Sequence, residues 1–312
     1  MPASTLRDSL SRDGFVVIRQ LLDSDELETL RAAAARTTTR ARAGNWPDVR
    51  TVGKQFPPWA KPAPGQPPAE GIWGVQGLLN PALGEDANIF AASYFNDKVL
   101  GVAKELLTYE GEGDVTDDDL VLELYNMLIR PESNFELEWH RDDIPRTASA
   151  AEEEEKLGIS ELKGKGKRYW NTQWNLALFE DESLIVVPAS HKRVRTDEER
   201  NAGVHEPNMP GQLVVHLEPG DVAFYDNNIL HRGVYDSTKE RMSLHGSVGH
   251  AGGGRFRARN VLQHGIGGWV DQCDFSALDK EGGNVRQRAE GMRQRLVKLG
   301  RDSGDVGYSL TG

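Results

Sequence analysis

A chain of 312 residues and 34.5 kDa with this aliphatic and aromatic content can bury one large core or two modest ones. Its formal net charge of −11 argues against nucleic acid and against an anionic membrane as partners. The single cysteine, Cys273, excludes an internal disulfide framework, no apolar run is long enough to span a bilayer, and Met1 to Arg12 is too polar for a secretory leader. A soluble, cytoplasmic protein is expected.

In chain order, Asp13-Gly14-Phe15-Val16-Val17-Ile18 reads as a turn and a short apolar strand, and Asp23-Ser24-Asp25-Glu26 as a capping box that opens a helix. Leu27, Leu30 and Ala34 give that helix an inner face, and Arg31, Arg36 and Arg40 lie toward its negative end. Between Gly44 and Gly77 stand seven of the fifteen prolines, interleaved with Trp46, Phe56, Trp59 and Trp73. Proline removes backbone donors, so the segment is expected to be a long loop, neither sheet nor helix, and a candidate pocket wall. Ala87 to Leu107 has helical spacing, Gly111 to Asp119 is an acidic turn, and Leu120 to Arg130 alternates as a strand. Ser149 to Lys167, four consecutive glutamates and then a lysine-glycine run, reads as a mobile solvated insertion, with a lid as the alternative.

From Tyr169 the pattern is strand and tight turn: Tyr169 to Phe179, Leu184 to Val187, Gln212 to Leu217, a type II turn at Glu218-Pro219-Gly220-Asp221, then Val222 to Tyr225. This punctuation predicts a mainly β protein with flanking helices, built on a double-stranded β-helix or jelly-roll core of the cupin kind. Within residues 1–312 the expected layout is one domain. An N-terminal strand and helix occupy 1–43, the Pro/Trp-rich loop 44–80, the jelly-roll core about 119–250, and a C-terminal helix about 284–300.

The chemistry gathers around Trp139-His140-Arg141-Asp142. In extended backbone, positions two apart share a face, so His140 and Asp142 would present an imidazole and a carboxylate together, with Arg141 turned away. They supply two corners of the 2-His-1-carboxylate face that holds non-haem Fe(II) with positions open. His231 is the best third ligand, because Arg241 and Ser243 follow it in a strand. If the chain turns near Asp236-Ser237 and the two segments pair antiparallel, a guanidinium fork stands beside the metal, suited to a carboxylate. That combination suggests a dicarboxylate cosubstrate. The rival pair His216 and Glu218 runs straight into the proline turn and would leave His140 and Asp142 unexplained. His245 shares the face of Arg241, while His191, His205, His250 and His264 read as ordinary surface or core residues.

An ordered set of motifs from about residue 10 to 250 resembles the phytanoyl-CoA dioxygenase-like family of Fe(II)/2-oxoglutarate oxygenases. It comprises Asp13-Gly14-Phe15-Val16-Val17 with its capped helix, Met127-Leu128-Ile129-Arg130-Pro131, the His140/Asp142 pair, and Trp174 with its strand. Val186-Val187-Pro188-Ala189-Ser190-His191-Lys192, Leu217-Glu218-Pro219-Gly220-Asp221, His231-Arg232-Gly233 and Arg241 complete it. The resemblance implies that His140, Asp142 and His231 ligate iron and that Arg241, helped by Ser243, grips the far carboxylate of 2-oxoglutarate. It further implies that Met127 and Trp174, and more weakly Asn126, line the cosubstrate pocket. Such proteins can carry a basic residue before a Val-Gln pair; here that place is Gly74, with Gln76 as a substitute. The implied reaction consumes O2 and 2-oxoglutarate, releases succinate and CO2, and hydroxylates an unactivated C–H bond. Desaturation, cyclisation or epimerisation would use the same ligands, and retention of Asp142 speaks against halogenation. The aromatic loop suggests an apolar or mixed small-molecule substrate such as a secondary-metabolite intermediate. A silent cupin that binds metal or a small acid, and a zinc hydrolase or isomerase on the same ligands, are the alternatives.

Overall fold

The computed structural model describes residues 5–59, 61–159 and 168–306. The chain opens with helix α1 (Leu6–Asp13), started by a reciprocal Thr5–Asp8 capping box and ended by Gly14 in the left-handed region. This helix was not expected: it spans 8 residues and buries only Leu10, too little for a periodic signal. Strand β1 (Phe15–Ile18) leads to helix α2 (Ser24–Arg42), where Asp23 accepts from the Asp25 and Glu26 amides and Glu26 accepts from the Asp23 amide. The cap is the one the sequence predicts, and Leu30 and Ala34 are buried as its inner face requires.

Strands β2 (Val49–Thr51) and β3 (Ile72–Val75) precede helices α3 (Glu85–Phe95) and α4 (Asp97–Leu107), which break at Asn96. Then come β4 (Leu120–Ile129), β5 (Phe135–Glu136), α5 (Ala150–Leu157), β6 (Asn171–Ala177) and β7 (Leu184–Val187). Helix α6 (Asp197–Asn201) and strands β8 (Leu213–Val214), β9 (Val222–Tyr225), β10 (Leu230–Tyr235) and β11 (Met242–His250) follow, with helices α7 (Gly254–Leu262) and α8 (Val285–Ser303) last. The strands form a 7-stranded sheet, ordered β1-β9-β6-β11-β4-β3-β2, and a 4-stranded sheet, β5-β10-β7-β8. Their registered pairs are antiparallel, which gives the expected jelly-roll core. The turn before β9 behaves as predicted: Gly220 has φ +91 and the Asp221 amide donates to the Glu218 carbonyl at 3.0 Å.

Helices cover the outer face of the large sheet. Phe90, Tyr94 and Phe95 of α3 and Leu100, Leu106 and Leu107 of α4 are fully buried. So are Ala289, Met292 and Leu296 of α8, so its apolar side packs inward on β4 as expected. At about 1.5–3 kcal/mol per buried large apolar side chain, this layer is a main source of fold stability. It leaves the inner face of the large sheet free to form a pocket with the small one.

Four expectations need correction. The proline-rich segment is not wholly loop, because β2 and β3 flank the prolines and extend the large sheet from β4. Strands β10 and β11 do not pair: β11 already has β4 and β6 on its two edges, β10 has β5 and β7, and the chain crosses between sheets instead. Over its described part the glutamate run is a capped helix, with Glu152, Glu154 and Glu155 exposed as expected but Glu153 not. Ser149 caps α5, and Glu153 is wholly buried in ion pairs with Arg195 and Arg200. Residues 160–167 of that segment lie outside the described residues. Finally, only Leu213 and Val214 of the strand expected over 212–217 are in a ladder. No helix among the described residues is long and apolar enough to cross a membrane.

Candidate metal centre and its pocket

A cavity of about 1060 Å³, its open mouth included, lies between the two sheets. The large sheet contributes Leu124 and Leu128 of β4, Gln173 and Asn175 of β6, and His245 and Ser247 of β11; these positions alternate, as one face of a pleated sheet must. The small sheet contributes His231 and Tyr235 of β10. Gln55, Phe56, Pro57 and Trp59 close one side, so the aromatic loop is a pocket wall, and Asn260, Gln263 and His264 at the end of α7 close another.

His140 and His231 come from distant segments but are joined by a single antiparallel bridge. Each amide donates to the other's carbonyl at 3.0 Å, which brings the two ring centroids to 4.2 Å. The Asp142 amide is fixed in turn on the Asn227 carbonyl at 2.8 Å. Nε2 of His140 lies 3.5 Å, and Nε2 of His231 3.9 Å, from Asp142 Oδ1, and one ligand atom from each of the three residues lies within 4.8 Å of the others. The strand expected around His140 is thus reduced to this bridge, yet its alternation holds: Arg141 points away and donates to the carbonyls of Ser190, Asn228 and Arg193.

The rings are oriented for ligation. His140 Nδ1 donates to the Glu138 carbonyl at 2.7 Å and His231 Nδ1 to the Ile229 carbonyl at 2.8 Å, so each Nε2 carries a free lone pair. Gln173 Nε2 donates to Asp142 Oδ2 at 2.7 Å and leaves Oδ1 facing the histidines. Burial and the neighbouring His140 push the His231 imidazole down to about 4. Burial opposes the Asp142 charge, but His231, His140 and the Gln173 amide outweigh it and hold the carboxyl well below its usual range. Near neutral pH the pair therefore presents a neutral imidazole and a carboxylate, the forms a divalent cation requires.

Arg241, immediately before β11, is 6% exposed and lines the same cavity. Its Nε donates to Asp181 Oδ2 at 3.0 Å, the Ser243 hydroxyl donates to the same oxygen, and the guanidinium carbon lies 4.5 Å from the Tyr235 ring centroid. Burial raises the Asp181 carboxyl, but Arg241, the Ser183 amide and the Ser243 hydroxyl bring it below the usual range. Nη1 of Arg241 remains buried with no hydrogen-bond partner. Ser243 therefore holds Asp181, which holds Arg241.

Two expected pocket residues are not there. Met127 and Trp174 are fully buried in the helix-covered core on the opposite face of their strands, where Trp174 packs on Tyr94, Tyr125 and Phe224. Side chains alternate with a period of two, so a one-residue difference moves each to the wrong side; their neighbours Leu128, Gln173 and Asn175 face the cavity. Asn126 lies on the correct face: its Oδ1 accepts from the Gly77 amide at 3.0 Å, while its Nδ2 is buried without a hydrogen-bond partner. Gln76 sits behind the wall and accepts from His264 Nδ1 at 3.1 Å. His216 and Glu218 hydrogen-bond each other at 2.9 Å in an exposed cluster with Glu180 and Glu182.

Sequence reasoning missed Arg50, Gln173, Asn175, Arg257 and the His264 side of the pocket. Face parity with His245 and Asn126 could have found Gln173 and Asn175, since all lie in neighbouring ladders. No local signal marks α7, because its polar sequence carries no apolar stripe.

No family model matches the sequence, and no curated protein matches it. Solved structures do match. The structure of EctD from S. alaskensis with bound Fe has a TM-score of 0.52 and 16% identity, over 79% of this chain and 76% of that one. EctD from S. alaskensis with 2-oxoglutarate and 5-hydroxyectoine has a TM-score of 0.51 and 17% identity, over 78% and 74%. AviO1 from Streptomyces viridochromogenes Tue57 has a TM-score of 0.51 and 17% identity, over 78% of this chain and 93% of that one. Likeness at this identity is likeness of architecture, and by architecture the chain shares the fold of EctD and AviO1.

Proposed function

We propose that the protein is a non-haem Fe(II)- and 2-oxoglutarate-dependent dioxygenase that oxidises, by default hydroxylates, an unactivated C–H bond of a small molecule. The observation that carries this reading is the convergence of His140 Nε2, His231 Nε2 and Asp142 Oδ1 on one point of a cavity that Arg241 also lines. Two imidazoles and one carboxylate are the donor set of a ferrous site that keeps coordination positions open. The buried, unpartnered Nη1 of Arg241 fits a carboxylate arriving from outside. EctD, whose fold the chain shares, holds Fe in one structure and 2-oxoglutarate in another.

Iron bound here would supply the activation of O2 that is coupled to oxidative decarboxylation of 2-oxoglutarate to succinate and CO2. The chain's own part is positional. His140, His231 and Asp142 would hold the metal, Gln173 fixes which carboxylate oxygen faces it, and Arg241, itself held by Asp181, would take the far carboxylate of the cosubstrate. Phe56 stands edge-on to His140 with ring centroids 5.3 Å apart and, with Trp59, keeps bulk water from that side. The test is succinate release by the Fe(II)-loaded protein with ascorbate, O2 and 2-oxoglutarate, alone and with pools of candidate small molecules. Oxygen-dependent succinate that vanishes in His231→Ala is expected. A protein that binds iron and yields no succinate under any of these conditions would defeat the proposal.

A further inference from the structure

Arg50 is an arginine without a counter-charge. It sits on β2 directly opposite Gly74 of β3, and its stem lies across that glycine: a Cβ at position 74 would stand 3.0 Å from Arg50 Cδ and 3.3 Å from Arg50 Cβ. The absence of a side chain at 74 is what lets Arg50 reach the cavity, which it lines. The guanidinium lies between two indoles, 5.1 Å from the Trp59 and 5.2 Å from the Trp73 ring centroid, and the residue is 8% exposed. Among the described residues its side chain makes no hydrogen bond and no salt bridge, and its Nε is buried without a partner. The other arginines on the cavity wall are neutralised: Arg232 by Glu136, Arg241 by Asp181, Arg257 by Glu123.

Burial pushes the Arg50 guanidinium down to about 10, with Tyr235, Tyr225 and Asp142 acting the other way, so it stays charged at neutral pH. A buried cation with no partner destabilises the empty protein and is retained where something else pairs with it. We propose that Arg50 is the seat of a carboxylate carried by a ligand of this pocket, a second seat beside the one at Arg241. The guanidinium fork matches a planar carboxylate, and the two indole faces hold that fork in one orientation. A phosphate would need more donors than this corner has. His245 and His264 commit Nδ1 to Asn175 Oδ1 and Gln76 Oε1, so each neutral ring can only accept at Nε2.

The carboxylate has two possible sources, the second carboxylate of 2-oxoglutarate or an acidic group on the oxidised substrate; the first rests on the oxygenase reading, the seat itself does not. The experiment uses full-length protein loaded with Mn(II), which keeps the site divalent and redox-silent, as wild type, Arg50→Met and Arg50→Lys. One calorimetric arm titrates 2-oxoglutarate. The other titrates phenylacetate, cinnamate and hexanoate against their primary amides, with 2-oxoglutarate present at saturation wherever it binds. If the cosubstrate is the source, R50M weakens 2-oxoglutarate by about tenfold or more. If the substrate is the source, 2-oxoglutarate binding stays within about twofold, and wild type prefers acids to amides where R50M does not. In either case R50K retains part of the effect and ligand-free R50M melts no lower than wild type. The seat is overturned if both arms are unchanged in R50M, or if ligand-free R50M and R50K melt equally far below wild type, which would mark Arg50 as structural. If wild type itself fails to bind 2-oxoglutarate, the oxygenase reading falls while the acid-against-amide arm still decides Arg50.

Discussion

On the proposed reading Arg241 does two jobs, and two substitutions separate them. Toward the protein it neutralises Asp181, a buried carboxylate that also accepts from the Ser183 amide and the Ser243 hydroxyl; toward the cavity it offers Nη1. Arg241→Lys keeps a cation within reach of Asp181 but loses the fork, so stability should drop by only about 1 kcal/mol. The same change removes one charge-assisted hydrogen bond to the cosubstrate carboxylate, worth about 1.5–3 kcal/mol, and 2-oxoglutarate should bind about 10- to 150-fold more weakly. Arg241→Met also strands Asp181, at a cost to the fold of about 3–5 kcal/mol. The sign with pH follows. Without Arg241 the folded Asp181 carboxyl would titrate above its unfolded value near 3.9, so the deficit is largest near pH 7 and shrinks steadily as pH falls to 4 and below. Urea titrations at several pH values, with anaerobic 2-oxoglutarate titration of the Fe(II)-loaded protein, read both effects. R241K binding 2-oxoglutarate as tightly as wild type would refute the role given to Arg241, whatever happened to stability.

A divalent metal at about 100 times its dissociation constant should stabilise the protein by about 2.7 kcal/mol, a gain that chelation reverses and His231→Ala abolishes; thermal melts with and without chelator check it. Metal analysis with a test of oxygen dependence separates the oxygenase from a zinc hydrolase, which turns over without O2. Burial first, and Arg50 next, depress His245 and His264 to about 3, below the unfolded value near 6.5. Their contribution to stability is therefore complete above about pH 6.5 and is lost as pH falls toward 3. At pH 5 the loss should be about 1–2 kcal/mol for each half-buried ring, measured as a denaturation midpoint that shifts less with pH in the double asparagine variant. Gly233→Ala would drive a Cβ into the Tyr235 hydroxyl, which flanks Arg241. It should weaken 2-oxoglutarate binding while sparing metal binding, and an unchanged 2-oxoglutarate affinity would show that Tyr235 does not support the Arg241 seat.

What the sequence disclosed were features that local chemistry encodes. The Asp23 cap, the Pro219-Gly220 turn and the short strands β6 and β9 follow from short-range rules. The His140/Asp142 pair was visible because a two-residue spacing survives even where the strand shrinks to one bridge. Its junction with His231 was legible only as chemistry: residues 91 positions apart are joined by a bridge that no local pattern announces. The pairing of β10 with β11 failed because adjacency along the chain says nothing about which edges are already taken. Met127 and Trp174, carried over from the resemblance, failed by parity: β4 and β6 are each buried on both faces, so burial along them does not reveal which side meets the pocket.

The charge near Gly74 exposes a further limit, and it concerns what a sequence position means. Linear comparison looks for a basic side chain at residue 74 itself and finds none. In the folded sheet, the space beside Gly74 belongs to whichever neighbour crosses it, and here that is Arg50, from a strand 24 residues earlier in a segment read as loop. A cation can thus be delivered to one corner of a pocket from either of two paired strands, provided that its opposite residue is small. A missing basic residue at a site position is therefore weak evidence for a missing charge until the residue facing it across the ladder is known. Gly74 and Arg50 form one such unit, and substituting either should be felt at the same corner of the cavity.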